Sequence, residues 1–228
     1  MGIIMQIADT AAKAATAIAN AAPEKINLLS LLDKGGFLMY PLYLLFAAAI
    51  FVFFERLIAI QKAAKLDDNF MRIIKDNIMS GNVSAARSLT KNTDTAVAKM
   101  IDKGIQRIGK PLDAIEKSME NIGKLEMYKM EKNLGILALI AGVAPMFGFL
   151  GTIFGMIQLF YNINNSGFEL NIIAGGIYVK MVTSATGLIV GLLAYIMHNF
   201  LTAQIDKTAN RMEAASAEFI DILQEPTK

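Results

Sequence analysis

Four hydroxyl groups and one proline, set among glycines in two long apolar runs, are the residues of this chain best suited to chemistry. The first run contains Pro145-x-x-Gly148-x-x-Gly151-Thr152-x-x-Gly155-Met156; the second contains Thr183-Ser184-Ala185-Thr186-Gly187-Leu188-Ile189-Val190-Gly191. Proline has no N–H, so Pro145 leaves the carbonyl of Ala141 without its helical donor. In a medium without water that oxygen needs another partner. Thr152, Thr183, Ser184 and Thr186 add oxygens that both donate and accept hydrogen bonds. Gly148, Thr152 and Gly155 fall on one helical face, Gly151 and Gly155 form a ridge, and Ser184, Gly187 and Gly191 form another small stripe; such residues let a second helix come close. This oxygen set can pass a proton along hydrogen bonds or ligate a hard cation such as sodium. The plainer alternative is interhelical glue, since Ser and Thr in membrane helices often bond a carbonyl of their own helix. An acid is missing. No carboxylate lies between Glu131 and Glu169, and none between Glu169 and Asp206. The apolar runs therefore hold nothing that titrates as an acid near neutral pH, and the proton store of a coupled device has to sit on a second protein.

The elements that position these groups follow from the segregation of charge. Of the 228 residues, 54% are hydrophobic, yet only Lys180 is charged between Leu170 and Gln204 and no charge falls between Leu134 and Ser166. A membrane span takes about 20 apolar residues, and three segments qualify: 37–60, 133–161 and 172–200. Pro41 falls in the first turns of the first span, where proline is tolerated. Residues 61–132 form a charged loop with 14 Lys/Arg and 10 Asp/Glu from Lys62 onward. The connection at 162–171 has no basic residue. Arg56, Lys62 and Lys65 crowd one edge of the long loop, and Lys124, Lys129 and Lys132 the other, so the positive-inside rule puts this loop in the cytoplasm and the short connection outside. The N-terminus is then outside and the C-terminus cytoplasmic. Thr152 and Ser184 both fall near mid-span, so antiparallel neighbours place them at similar heights. Lys180, nearer the outer end, can snorkel to the interface; the functional alternative is a gate or a contact to a partner.

Residues 1–36 read as a short amphipathic surface segment with Ile3, Ile7, Ala11, Ala14 and Ile18 on one stripe, or, from Ala19-Asn20-Ala21, as a cleaved leader. In the loop, Asp68 is a candidate cap for a helix ended by Gly81, and Thr93 or Asp94 for a helix carrying Val97, Ile101, Ile105 and Ile108, closed by Gly109. After Pro111, suited to a first turn, nothing in the pattern stops a helix before the membrane, so one long helix is expected to run into the second span. In the tail, residues 201–228, Leu201, Ile205, Thr208, Met212, Ala215, Phe219 and Ile222 alternate in steps of four and three. That spacing fits a coiled-coil seam between copies or a helix packed on the loop of its own chain. Pro226 ends it. The fold class is all-α, an integral membrane protein with three transmembrane helices and long cytoplasmic helical extensions.

The Pro145–Met156 motif resembles the signature of the MotA/TolQ/ExbB proton channel family, most closely its ExbB/TolQ branch. The Ser184-Ala185-Thr186-Gly187-Leu188 segment is similar to the third-span motif of that branch, and Gly35-Gly36 leading to Glu55-Arg56-Leu57 resembles its first span. The resemblance covers about residues 31–217. It implies a pentameric helical ring, a homo-oligomer in the bacterial inner membrane, around a single-span partner of the ExbD/TolR type whose aspartate takes up and releases the ion. It implies proton transport, with sodium as the alternative, and mechanical work on envelope partners such as a TonB-like energy transducer. It maps the ion pathway onto Thr152 and Ser184, beside Thr183, Thr186 and Pro145, and helix packing onto Gly148, Gly151, Gly155, Gly187 and Gly191. One position departs: where ExbB and TolQ chains carry G-I-A-E-A, this chain reads Gly176-Ile177-Tyr178-Val179-Lys180.

Other functions fare worse on the residues. With no cysteine, disulfides, thiol catalysis and cysteine-held metals are excluded. An intramembrane enzyme needs a dyad, and Ser184 with His198, the one histidine, lies fourteen residues along the same helix, about 21 Å at 1.5 Å per residue. No G-x-S-x-G or H-E-x-x-H pattern occurs. No enzymatic role, cofactor, metal site or nucleic-acid partner is expected. A structural membrane scaffold accounts for the small residues but not for the matched belt of hydroxyls.

Overall fold

The structure, a computed structural model, describes residues 37–67, 69–166 and 170–224. The amphipathic N-terminal segment, the Gly35-Gly36 pair, the Asp68 cap and Pro226 lie outside the described residues. Among the described residues seven helices follow in order: α1 Met39–Ala64, α2 Phe70–Met79, α3 Val83–Asn92, α4 Ala96–Ile105, α5 Leu112–Glu131, α6 Leu134–Ser166 and α7 Leu170–Gln224. No strand occurs among the described residues. Among the described residues three helical stretches, in α1, α6 and the first part of α7, are long and apolar enough to cross a membrane.

Sequence punctuation sets most of the breaks. Gly81 and Gly109 adopt φ of 74° and 91°, a conformation glycine enters without cost, and each follows a helix. Pro111 stands immediately before α5 with φ −54° and ψ 142°. Asn82 caps α3, its side chain accepting from the N–H of Ala85 at 3.2 Å. Thr95 caps α4 by accepting from Ala98 N–H at 3.3 Å; neither Thr93 nor Asp94 takes that place. The extended backbone of Thr95, φ −121° and ψ 160°, aims its hydroxyl down the helix.

The expected single helix from Pro111 into the membrane is broken once. Lys132 is extended, and Asn133 takes φ 66°, so α5 ends at Glu131 and α6 starts at Leu134. Asparagine is among the few residues whose short polar side chain tolerates the left-handed region, so the break sits at the one residue there that enters it cheaply. The opposite junction is unbroken although Asn199 stands there, its side chain donating to Tyr195 O at 2.9 Å within the helix. α7 runs 55 residues without interruption, about 80 Å at 1.5 Å per residue, so that the apolar run and the tail are one rod.

α6 and α7 pack antiparallel along much of their length, and α1 lies against both. Beyond this three-helix part, the tail of α7 packs on α2, α4 and α5, with α3 on α4. The tail seam is filled inside the chain. Leu201, Ile205, Thr208, Met212, Ala215, Phe219 and Ile222 are each at most 5% exposed, and a Cβ on Gly104 of α4 would stand 2.6 Å from both Phe219 Cε1 and Met119 Sδ. The heptad therefore describes packing on the chain's own loop helices and leaves no open coiled-coil stripe. Large apolar side chains are exposed mainly on α1, α6 and α7, among them Phe51, Phe54, Ile58, Leu139, Met146 and Leu192. Such a surface is stable only against lipid or another protein, and the protein is embedded in a membrane.

Candidate functional site

The site is built where α6 and α7 touch backbone to backbone. A Cβ placed on Gly187 would lie 2.7 Å from the carbonyl oxygen of Ala144 and 2.8 Å from Gly148 Cα. One placed on Gly148 would meet Ser184 O at 3.0 Å and Gly187 Cα at 3.2 Å. Gly191 faces Pro145, whose Cγ would be 2.6 Å away, and the oxygen of Ala141 at 3.0 Å. The carbonyl oxygen that Pro145 leaves without its helical donor thus lies at the close contact with Gly191. A Cβ on Gly151 would lie 2.8 Å from Thr183 Cγ2, and one on Gly155 would overlap the stem of Lys180. The pairs 145–191, 148–187, 151–183 and 155–180 define one antiparallel register, which puts Thr152 at the height of Thr183 and Ser184.

The hydroxyls share that height but not a face. Thr183 is 1% exposed and locked in the seam between the helices. Ser184 sits at the seam's edge and, with Pro145, Met146, Phe149, Leu150 and Leu188, lines an outward-opening groove of about 560 Å³. Thr152 follows Phe149 by three residues and so continues the α6 wall of that groove by one turn. Its Oγ1 donates to Phe149 O at 2.6 Å, and Thr186 Oγ1 donates to Val182 O at 2.9 Å. With these protons committed, both oxygens offer lone pairs: they accept from a neutral carboxylic acid or ligate a cation. To hold a carboxylate, either must first swing off its own helix.

Lys180 lies along Gly155 and reaches a cleft of about 450 Å³ lined by Phe37, Leu38, Phe154 and Gln158. Gln158, one turn farther along α6, lines the same cleft. Ser184 and His198 are separated along the uninterrupted α7 and cannot form a dyad. Among the described residues, no three His, Asp or Glu side chains converge as a metal site would require.

A second constellation was not found from the sequence. Where α1 leaves the apolar region, Arg56 is 8% exposed and bonded to Glu55 and, through Nη1, to Lys129 O at 3.3 Å. Lys129 Nζ holds Glu126 at 2.5 Å, and Lys99 approaches the same carboxylate at 3.5 Å. Lys99 also binds Asp94 at 2.7 Å, and Asp94 returns to α1 through Lys62 at 2.9 Å. This circuit joins α1, α4 and α5. The hydrogen bond from Lys99, then that from Lys62, pushes the Asp94 carboxyl down to about 2, and Asp94 in turn raises the Lys99 ammonium above its ordinary value. The links between helices, Arg56 to Lys129, Lys62 to Asp94 and Lys99 to Glu126, join residues far apart in the chain, so local spacing does not announce them. Glu126 is buried on α5 with Ile115, Met119 and Met130, and an acid among those apolar positions is the one local signal.

Comparison with known proteins points one way. The family model described as the MotA/TolQ/ExbB proton channel family matches residues 92–214, a stretch that contains α6 and the hydroxyl-bearing part of α7. A putative biopolymer transport protein ExbB homolog of Methanothermobacter thermautotrophicus is 25% identical over 193 residues, covering 82% of this chain and 67% of the relative. A putative biopolymer transport protein ExbB-like 1 of Synechocystis is 26% identical over 203 residues, covering 87% and 80%. The biopolymer transport protein ExbB of Aquifex aeolicus is 33% identical over 91 residues, 40% of this chain and 62% of the relative.

Proposed function

The chain belongs to the MotA/TolQ/ExbB proton channel family, and from that premise we propose that it is the three-span channel subunit of an ion-driven membrane motor, completed by a single-span protein of the ExbD/TolR type. The observation that carries this reading is the belt itself: hydroxyls at one height on α6 and α7, a groove beside them, and no carboxylate at that depth. Hydroxyls relay a hydrogen bond but store no charge; intramembrane carboxylates are the usual proton relays of pumps. The partner's aspartate enters beside Pro145, Thr152 and Ser184. Neutral, it donates to a threonine oxygen whose own proton is held by its helix. Charged, it draws a hydroxyl off its carbonyl. Alternation between these states as the aspartate meets successive copies of this chain in a pentameric ring turns ion flow into rotation.

The ion of this reading is the proton. The family model that matches is that of a proton channel family, which favours the proton over sodium. The loop is cytoplasmic, the chain sits in the inner membrane of a bacterial cell, and the work is done on an envelope partner such as a TonB-like transducer, in line with the biopolymer transport named for the ExbB relatives. Thr152→Val and Ser184→Ala test the belt. Both nearly conserve shape, so assembly should persist while energised transport falls by at least tenfold. Normal transport in both variants would return the hydroxyls to structural glue.

A further inference from the structure

A second groove, of about 690 Å³, lies between α5 and the tail of α7, in the extension beyond the apolar helices. Its floor is made by Met100 and Met212, each 3% exposed, with Met127 and Ile220 beside them. Gly123 opens that floor: a Cβ there would find only Met212 Cε at 3.5 Å and Met100 Sδ at 3.7 Å. From Glu116 to Met127 the groove follows twelve residues of α5, about 17 Å or three turns, a length suited to one short helix laid along it.

The rim is acidic. Glu116 and Glu120 stand on one side, Glu213 and Asp221 on the other, against a single cation, Lys124. Lys124 is already taken, its Nζ 2.5 Å from Glu120. Glu116, Glu213 and Asp221 have no ion-pair partner among the described residues. A methionine floor with surplus carboxylates on both lips selects an amphipathic helix that is apolar on one face and basic on the edges.

We propose that this groove docks the basic cytoplasmic flank of the single-span partner. The inference rests on the functional reading above, which places the groove in the cytoplasm and supplies the partner. A single-span protein anchored with a short cytoplasmic end carries Lys and Arg there by the positive-inside rule, which is the charge the rim lacks. The groove begins near Met127, five residues or about 8 Å below Lys132 at the membrane edge, so the flank reaches it directly after leaving the lipid. Docking there anchors the partner's end while its aspartate works at the belt.

The test uses the complex as it co-purifies from native membranes, with p-benzoylphenylalanine in place of Ala217, which lines the groove, or of Leu188, which lines the membrane groove. Irradiation should give an Ala217-site adduct that maps by mass spectrometry to the Lys/Arg-bearing flank of the single-span protein. The triple variant Glu116→Lys, Glu213→Lys, Asp221→Lys should cut that adduct at least tenfold and leave the Leu188-site adduct in place. An Ala217-site adduct to a second copy of this chain would overturn the proposal and make the groove a seam between copies. No Ala217-site adduct beside a strong Leu188-site adduct, or a yield indifferent to the charge reversal, would also overturn it while the functional reading stands. Failure of both sites to reach a single-span protein would remove the functional reading as well.

Discussion

Gly187 and Gly148 meet with no side chain between them: a Cβ on Gly187 would sit 2.8 Å from Gly148 Cα and 2.7 Å from Ala144 O. The obstructing atoms are backbone and cannot turn aside. Gly187→Ala should therefore force α6 and α7 apart and cost about 1–3 kcal/mol or more, the range for overpacking a well-filled site. Gly142→Ala on α6 meets nothing within 4 Å and should be neutral or slightly stabilising. Thermal unfolding of the two variants in detergent compares them directly; equal tolerance would mean that the helices are not held by this contact.

The ion-pair circuit at the end of α1 predicts a particular titration. Hydrogen bonds from Lys99 and then Lys62 hold Asp94 at about 2, below its ordinary 3.8. A depressed carboxylate contributes stability that is present above 3.8 and is lost as pH falls through about 2. Lys99 is shifted upward, so its contribution is complete below 10.5 and fades only as pH rises past its folded value. Lys99→Met should return Asp94 toward its ordinary range, read as the pH midpoint of its carboxyl carbon by NMR. An unchanged midpoint would show that Lys99 does not set it.

Orientation is the expectation most easily reversed. Asn165 lies at the end of α6 and Asn92 at the end of α3, both exposed. The chain has no cysteine, so Asn165→Cys and Asn92→Cys each give a single reactive site. A membrane-impermeant thiol reagent applied from outside should label the first and not the second. The reverse pattern would invert the topology and remove the cytoplasmic placement of the acidic groove.

Much of this architecture was legible because the bilayer imposes simple rules. Charge-free runs of sufficient length marked the apolar helices, and glycines at Gly81 and Gly109 marked two ends in the loop. The close approach at Gly148 and Gly187 could be read as a face of small residues, though not which atoms would meet there. Local pattern failed where the deciding partner is distant in sequence. The steps of four and three from Leu201 to Ile222 do not say whose helix fills the seam; Gly104, Met119 and their neighbours in the same chain do. Asn133 broke a helix that apolar periodicity carried straight through. Helix α3 passed unnoticed because it buries only Ala86 and Thr90, too little to print a stripe. The hydroxyls were visible as a group, but their division between the seam at Thr183 and the groove at Ser184 depends on the rotation of α7, which residue spacing alone leaves open.

The central claim is that this chain supplies the path and a second protein supplies the acid. Two sets of liposomes decide it, one holding the purified chain and one holding the chain with its single-span partner, each loaded with a pH-sensitive dye in sodium-free buffer and challenged with a potential. The account predicts proton entry only with the partner present, and its loss when the partner's membrane aspartate is changed to asparagine. Proton entry through the chain alone, equal to that of the pair, would contradict it.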